Sequence, residues 1–216
     1  MQSYKEKNIF SDIHFKHIKD IISQPIIMDK IGLKIGTTYI MFFCEKLLMR
    51  EHALLLTKDK TKTNVLEIGF GAGVFAKEIV DLNIDSYTVI EPHPKVVAYA
   101  KEWARNKNIK INIIDQPWQK AIRQLKEYDI IMYDGWPPDG CDDQDFYNFV
   151  SIVCKESLVE DGRFSFFWNG KTLSSFREKV LKSFFKKSTF CPFFIEKLPK
   201  EWTLKSNDFL IPILEK

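Results

Sequence analysis

From residue 64 onward the chain alternates short apolar runs with amphipathic stretches. "NVLEIGF" precedes "GVFAKEIVDLN", "SYTVIEP" precedes "PKVVAYAKEWARNK", and "IKINIID" precedes "WQKAIRQLK". "YDIIMYDG" then precedes "DQDFYNFVSIVCKESL", and "GRFSFFWNG" precedes "LSSFREKVLKSFFK". Near-continuous apolar runs are strands buried on both faces, and the helices between them supply the cover. The rhythm predicts an α/β fold with a doubly wound, mostly parallel sheet. "CPFFIEKL" and "DFLIPIL" follow with no helix between them, which predicts a closing hairpin and seven strands, the last of them antiparallel. Upstream, "YIMFFCEKLLMREHALLL" (39–56) predicts a helix, because it is rich in helix formers and free of Pro and Gly. Residues 1–36 mix helical and extended tendencies. The expected organisation is an N-terminal helical lid over 1–60 and a Rossmann-like domain over 61–216, together one structural unit.

Composition narrows the function classes. A chain of 216 residues with 45% hydrophobic side chains suits one domain with a sizeable core. Net charge is 32 − 29 = +3, too mild for a nucleic-acid partner, where a basic face is expected. Cys44, Cys141, Cys154 and Cys191 are scattered with no C-x-x-C pair, so neither a metal site nor a disulfide framework is indicated. The start "MQSYKEKNIF" is charged where a signal peptide needs an apolar core. No apolar run approaches the roughly 18 residues that span a bilayer. The expectation is a soluble cytoplasmic protein, monomer or homodimer, with a small-molecule partner and no membrane contact.

In a doubly wound sheet, ligands bind beyond the C-terminal strand ends. The first strand runs into Gly69, Phe70, Gly71, Ala72, Gly73, Val74 and Phe75. This loop could cradle a phosphate, hold another cofactor, or only turn a corner. A dinucleotide fingerprint reads G-x-G-x-x-G, and a P-loop ends in Gly-Lys-Ser/Thr. Here the last two glycines are one residue closer, and Val74 and Phe75 replace the Lys-Ser/Thr ending. The second strand ends in Glu91, which suits the two hydroxyls of a ribose. The third ends in Asp115, an acceptor for an adenine amino group. Nearby Trp118 either packs on the ring or caps the following helix. The fourth ends in Asp134, where a transferred group would sit, and Gly135-Trp136-Pro137-Pro138 builds a wall beside it. A loop for adenosine, an acid for ribose and no phosphate grip are the layout of an S-adenosylmethionine-dependent methyltransferase, with S-adenosyl-L-homocysteine as product and no metal.

Met41, Glu45 and Met49 are spaced i, i+4, i+8 within the expected helix. That spacing sets them on one stripe. A carboxylate between two thioethers suits a cofactor cleft better than dry core or open solvent, although a slightly rotated helix would leave Glu45 merely exposed.

"IMFFCEKLLM" and "VLEIGFGAGVF" together resemble guanidinoacetate N-methyltransferase and its relatives, including arginine N-methyltransferases. The resemblance continues through "VIEPHP", "PWQ", "IIMYDGWP", "FYNFV" and "EDGRFSFFWN", over roughly 37–216. It implies that Met41, the 70–75 segment, Glu91, Pro92, His93, Trp118 and Gln119 contact the cofactor. It implies that Glu45 and Asp134 hold a guanidinium, and that the turn at Asn169, Gly170 and Lys171 meets the acceptor's carboxylate end. Cys44, Gln119, Gly135-Trp136 and Gly170-Lys171 depart from the family's usual Trp, Glu, Thr-Tyr and Leu-Thr. The cofactor side is thus largely kept and the acceptor wall, Trp136 included, is changed, while Met49 is expected on the acceptor side as part of the shared Met-Glu-Met pattern. Asp134 is expected to take the proton of a guanidino nitrogen while Glu45 orients the group. Three other readings stay open: an amine acceptor, a nucleic-acid base ("DGWPP" faintly resembles an Asn/Asp-Pro-Pro-aromatic motif), or a non-catalytic cofactor-binding protein.

Overall fold

The computed structural model describes residues 9–204 and 206–216. It begins with helix α1 (Asp12–Ser23) and three short strands, β1 (Ile26–Met28), β2 (Gly32–Ile35) and β3 (Thr38–Phe42). These strands form a separate antiparallel sheet. Asp29 closes the first turn: Oδ1 accepts from the Ile31 and Gly32 amides, and Oδ2 from the Tyr39 hydroxyl. A 3-10 turn over Phe43–Glu45 leads into helix α2 (Lys46–Thr57).

The helix expected over 39–56 therefore starts only at Lys46. Thr38-Tyr-Ile-Met-Phe is β-branched and aromatic, and the pairing partner that β2 supplies decides its conformation. Met41 consequently lies in a strand, Glu45 ends a 3-10 turn and Met49 lies in α2, so the three do not share one helix stripe. The described part of residues 1–36 is part helix and part small sheet, in line with its mixed helical and extended tendencies, and residues 1–8 lie outside the described residues.

The main sheet follows with β4 (Thr63–Ile68), α3 (Val74–Ile79), β5 (Ile84–Ile90), α4 (Pro94–Lys107), β6 (Asn112–Ile114), α5 (Trp118–Ala121) and β7 (Tyr128–Tyr133). Helix α6 (Asp142–Phe149) runs on through a π turn at Val150–Cys154, then come β8 (Leu158–Phe166), α7 (Ser175–Phe184), β9 (Lys187–Phe194) and β10 (Asp208–Glu215). The strand order is β6-β5-β4-β7-β8-β10-β9. β4 to β8 are parallel, and β10 runs antiparallel to both β8 and β9. The sheet is the mostly parallel, seven-stranded arrangement that the sequence rhythm predicts.

Alternation along the strands assigns the two cores. Val65, Ile130 and Met132 face one layer with α2, α3 and α4, while Leu66, Ile68, Ile131 and Tyr133 face the other with α5, α6 and α7. Helix α4 occupies the predicted residues 94–107 because its signals are local. Pro94 opens it, the His93 ring accepts from the Lys95 amide, and Asn108 ends it at φ 55°. No helix among the described residues is long and apolar enough to cross a membrane.

Candidate active site

Strand order reverses at β4, with β5 on one side and β7 on the other. The loop after β4 is tightly wound. Gly69, Gly71 and Gly73 all have positive φ (85°, 52° and 67°). The Gly69 amide donates to Ile90 O at 2.9 Å, and the Gly73 amide to Phe70 O at 2.8 Å. A Cβ on Gly69 would lie 2.4 Å from the carbonyl oxygen of Asp134. Only glycine satisfies both the φ and that approach. Gly69→Ala is therefore expected to push Asp134 out of place, cutting methyl transfer more than tenfold while also weakening cofactor binding in calorimetry. Wild-type affinity and rate in that variant would refute the role given to this contact.

The loop borders a cavity enclosing about 850 Å³. Its floor is Gly69, Gly71, Glu91 and Pro92, and its ends are Trp118, Gln119 and Asp134. Glu91 is buried, with Oε2 accepting from the Phe70 amide at 3.0 Å and Oε1 from the His93 amide at 2.8 Å. Burial pushes its carboxyl up, against the pull of these N–H groups. A carboxylate has about four acceptor positions, so lone pairs remain for a diol.

Gln119 has the opposite lesson. Its Nε2 donates to Asp145 Oδ2 at 3.0 Å. Since a carboxylate only accepts, the amide's carbonyl oxygen is the end left over, an acceptor suited to an adenine amino group. Asp145 Oδ1 accepts in turn from His14 Nε2 at 2.9 Å, and His14 Nδ1 accepts from the Ser11 amide, which fixes the tautomer. His17 Nε2 donates to the Trp136 carbonyl at 3.1 Å, with the two rings edge to face. Helix α1 thus closes one side of the cavity, with Ile18 and Ile21 facing in.

Asp134 stands at the end of β7, its amide donating to Ile68 O at 3.0 Å. Burial pushes its carboxyl up to about 7. Glu45, 5% exposed, accepts from the Phe42 amide at 2.9 Å. Burial, with the charge of Asp134 added, pushes Glu45 up to about 8. Glu67, buried in β4 and hydrogen-bonded by the Tyr87 hydroxyl, is pushed well above the carboxylate range for the same reason. Asp134 and Glu91 line the first cavity at the strand ends, where a cation would favour their charged forms.

A second, more open cavity of about 1130 Å³ lies on the other side of Asp134. Asp134, Gly135 and Asn169 line it, together with Trp168, Asp142 and Arg177. Several expected residues lie elsewhere. Met49 is fully buried in the core, Asp115 is exposed beyond β6, and Glu45 lines neither cavity, although the charge of Asp134 reaches it. Phe70, Ala72, Val74 and Phe75 are buried and pack beneath the loop that Gly69 and Gly71 present. Trp118 is the first residue of α5, whose cap is Pro117, and it lines the first cavity. Lys171, 75% exposed, pairs with Asp208 at 3.6 Å and borders neither cavity. Sequence reasoning missed His14, His17 and Arg177. Their partners lie far along the chain, 131 residues away for His14 and Asp145, and no local pattern signals them. Among the described residues no group of three or more His, Cys, Asp or Glu side chains could hold a metal.

Sheet order, glycine loop and acid-lined strand ends define a Rossmann-like methyltransferase fold. Solved structures agree. The chain superposes on N-methyltransferase NodS from Bradyrhizobium japonicum, a complex with S-adenosyl-l-homocysteine, with a TM-score of 0.59 and 16% identity, covering 94% of this chain and 98% of that one. Spermidine synthase from Thermotoga maritima gives 0.63 and 15%, covering 88% and 67%. Residues 31–187, well over half the chain, match the family described as guanidinoacetate N-methyltransferase, and the chain belongs to that family. Protein arginine N-methyltransferase 2 of Kluyveromyces lactis is 30% identical over 123 residues, 55% of this chain. The match spans only 30% of that relative. Helix α1, which closes the first cavity, precedes the matched range.

Proposed function

We propose that this chain is an S-adenosylmethionine-dependent N-methyltransferase acting on a guanidino group of a small molecule, arginine-like or guanidinoacetate-like. The observation that carries the reading is that Asp134 lines both cavities, with the buried Glu45 within reach of its charge. The first cavity suits the cofactor. Glu91 suits a ribose diol, the Gln119 carbonyl suits an adenine amino group, and positive-φ glycines allow close backbone approach. S-adenosylmethionine, when bound, supplies an electrophilic methyl group on a sulfonium. The rest is work for the protein's own side chains.

A guanidinium is protonated at neutral pH, so its nitrogen lone pair is unavailable until a proton leaves. Asp134 accepts an N–H of the fork and takes that proton as the nitrogen becomes nucleophilic. Glu45 balances the positive charge. The raised values near 7 and 8 suit this work, because a base near neutrality both accepts a proton and later releases it. Helix α1 acts as the gate, admitting ligands when the His14 and His17 contacts open. The arginine-directed relative and the matching family both support a guanidino acceptor over a plain amine.

The test is methyl transfer from labelled cofactor to arginine, guanidinoacetate and matched amines, with the modified atom located by mass spectrometry. The expected result is a labelled guanidino nitrogen. Label on amines alone would replace the acceptor. Cofactor binding with no transfer to any compound would favour a non-catalytic binder.

A further inference from the structure

The turn after β8 was expected to grip an acceptor carboxylate, and the Asn169 and Gly170 donors are already engaged. The Gly170 amide donates to Asp208 O at 2.8 Å. Asn169 Nδ2 donates to Ser206 O at 2.7 Å and to Asp208 O, while its Oδ1 accepts from the Ser206 amide. Lys171 is turned to Asp208 and solvent. Among the described residues lining the second cavity, the one cation is Arg177.

Arg177 comes from the first turn of α7, positioned by Ser174, whose Oγ accepts the Arg177 amide at 3.1 Å. Its guanidinium lies 4.6 Å from the Trp168 ring centroid and 4.5 Å from that of Phe146. The rings hold its plane and leave the edges for hydrogen bonding. One donor, Nη2, is engaged by Asp143, which is itself 73% exposed. The residue is only 8% exposed, so its charge is directed rather than solvated. An exposed partner holds a cation weakly.

Resting on the methyltransferase reading above, we infer that Arg177 recognises a carboxylate on the acceptor whose guanidino end reaches Asp134. The acceptor is then a small zwitterion that spans the second cavity. A guanidinium edge matches two carboxylate oxygens. Asp134 and Asp142 border the same cavity, so a singly charged carboxylate is repelled less than a doubly charged phosphoryl group. Asp143, which does not line that cavity, holds Nη2 from outside it and competes for the guanidinium's charge.

The experiment is calorimetry of 4-guanidinobutyrate and 4-guanidinobutanamide with protein saturated in S-adenosylhomocysteine, followed by transfer assays with both. Wild type should bind the carboxylate about tenfold to hundredfold tighter than the amide. In Arg177→Gln the ratio of the two affinities should fall to about one, and Arg177→Lys should restore part of it. Asp143→Asn, at an exposed position, keeps Arg177 intact and should tighten carboxylate binding several-fold. Equal affinities in wild type, no binding of either compound, a preference that survives Arg177→Gln, or no change in Asp143→Asn would overturn the inference. An Arg177-dependent preference without methyl transfer to either compound would leave the anion site standing and sink the guanidino-methyltransferase reading instead.

Discussion

Asp134→Asn is expected to lower kcat by roughly 100- to 10,000-fold, the range for loss of a positioned general base. Asparagine has the same shape, and the backbone bond from residue 134 to Ile68 does not depend on the side chain. Cofactor affinity should stay within a few-fold of wild type, since Glu91 and Gln119 are untouched. Glu45→Gln should also lower kcat, by less, because Glu45 lines neither cavity and acts through charge. Its amide oxygen can still accept from the Phe42 amide, so the 3-10 turn should persist. The double variant should be little worse than Asp134→Asn, because groups that act as a unit are not additive. Wild-type kcat in Asp134→Asn, measured with saturating cofactor, would remove this residue from the chemistry.

Raising pH should destabilise the ligand-free protein and activate the enzyme over the same window. Ordinary carboxyls titrate near 4 in the unfolded chain. In the folded protein Asp134 titrates at about 7 and Glu45 at about 8. Between pH 4 and 8 these two groups therefore hold more protons folded than unfolded, while His52, pushed down to about 3 by burial, acts the opposite way up to about pH 6.5. Unfolding free energy should then fall as pH rises from about 6.5 to 8 and level off above it. Each unit of separation corresponds to about 1.4 kcal/mol, so a loss of a few kcal/mol and several degrees in Tm is expected. Glu45→Gln should flatten the slope and melt several degrees above wild type at pH 8.5. Activity runs the other way, because the base must be free: kcat/KM should climb up to about pH 8. Thermal melts of both proteins from pH 5 to 9 decide it, and identical, flat profiles would disprove the buried-acid account.

The parallel sheet was legible because its signal is repeated and local. Each apolar run carries its own flanking helix, and α4 carries Pro94 and Asn108 at its ends. The glycine loop, Glu91 and Asp134 were legible for a related reason: a doubly wound sheet puts ligands at strand ends, and those residues are the strand ends. What failed was non-local. Thr38–Phe42 is a strand only because β2 pairs with it, and nothing inside 39–56 announces that partner. The turn at 169–171 looked free in sequence, yet Asp208 and Ser206 consume the Asn169 and Gly170 donors from nearly 40 residues away. Arg177 looked like one of several charges on an amphipathic helix until Trp168 and Phe146 enclosed it.

The position of β10 between β8 and β9 carries a consequence for biosynthesis. A ribosome delivers β9 before β10. Until β10 arrives, β9 has no neighbour to join, and its Phe190, Phe193 and Phe194 wait without a sheet. The half of the sheet from β6 to β8 needs no such delay. A nascent chain stalled before residue 208 would therefore present a finished cofactor half beside an unpaired strand, the kind of intermediate that chaperones hold and that aggregates when they do not.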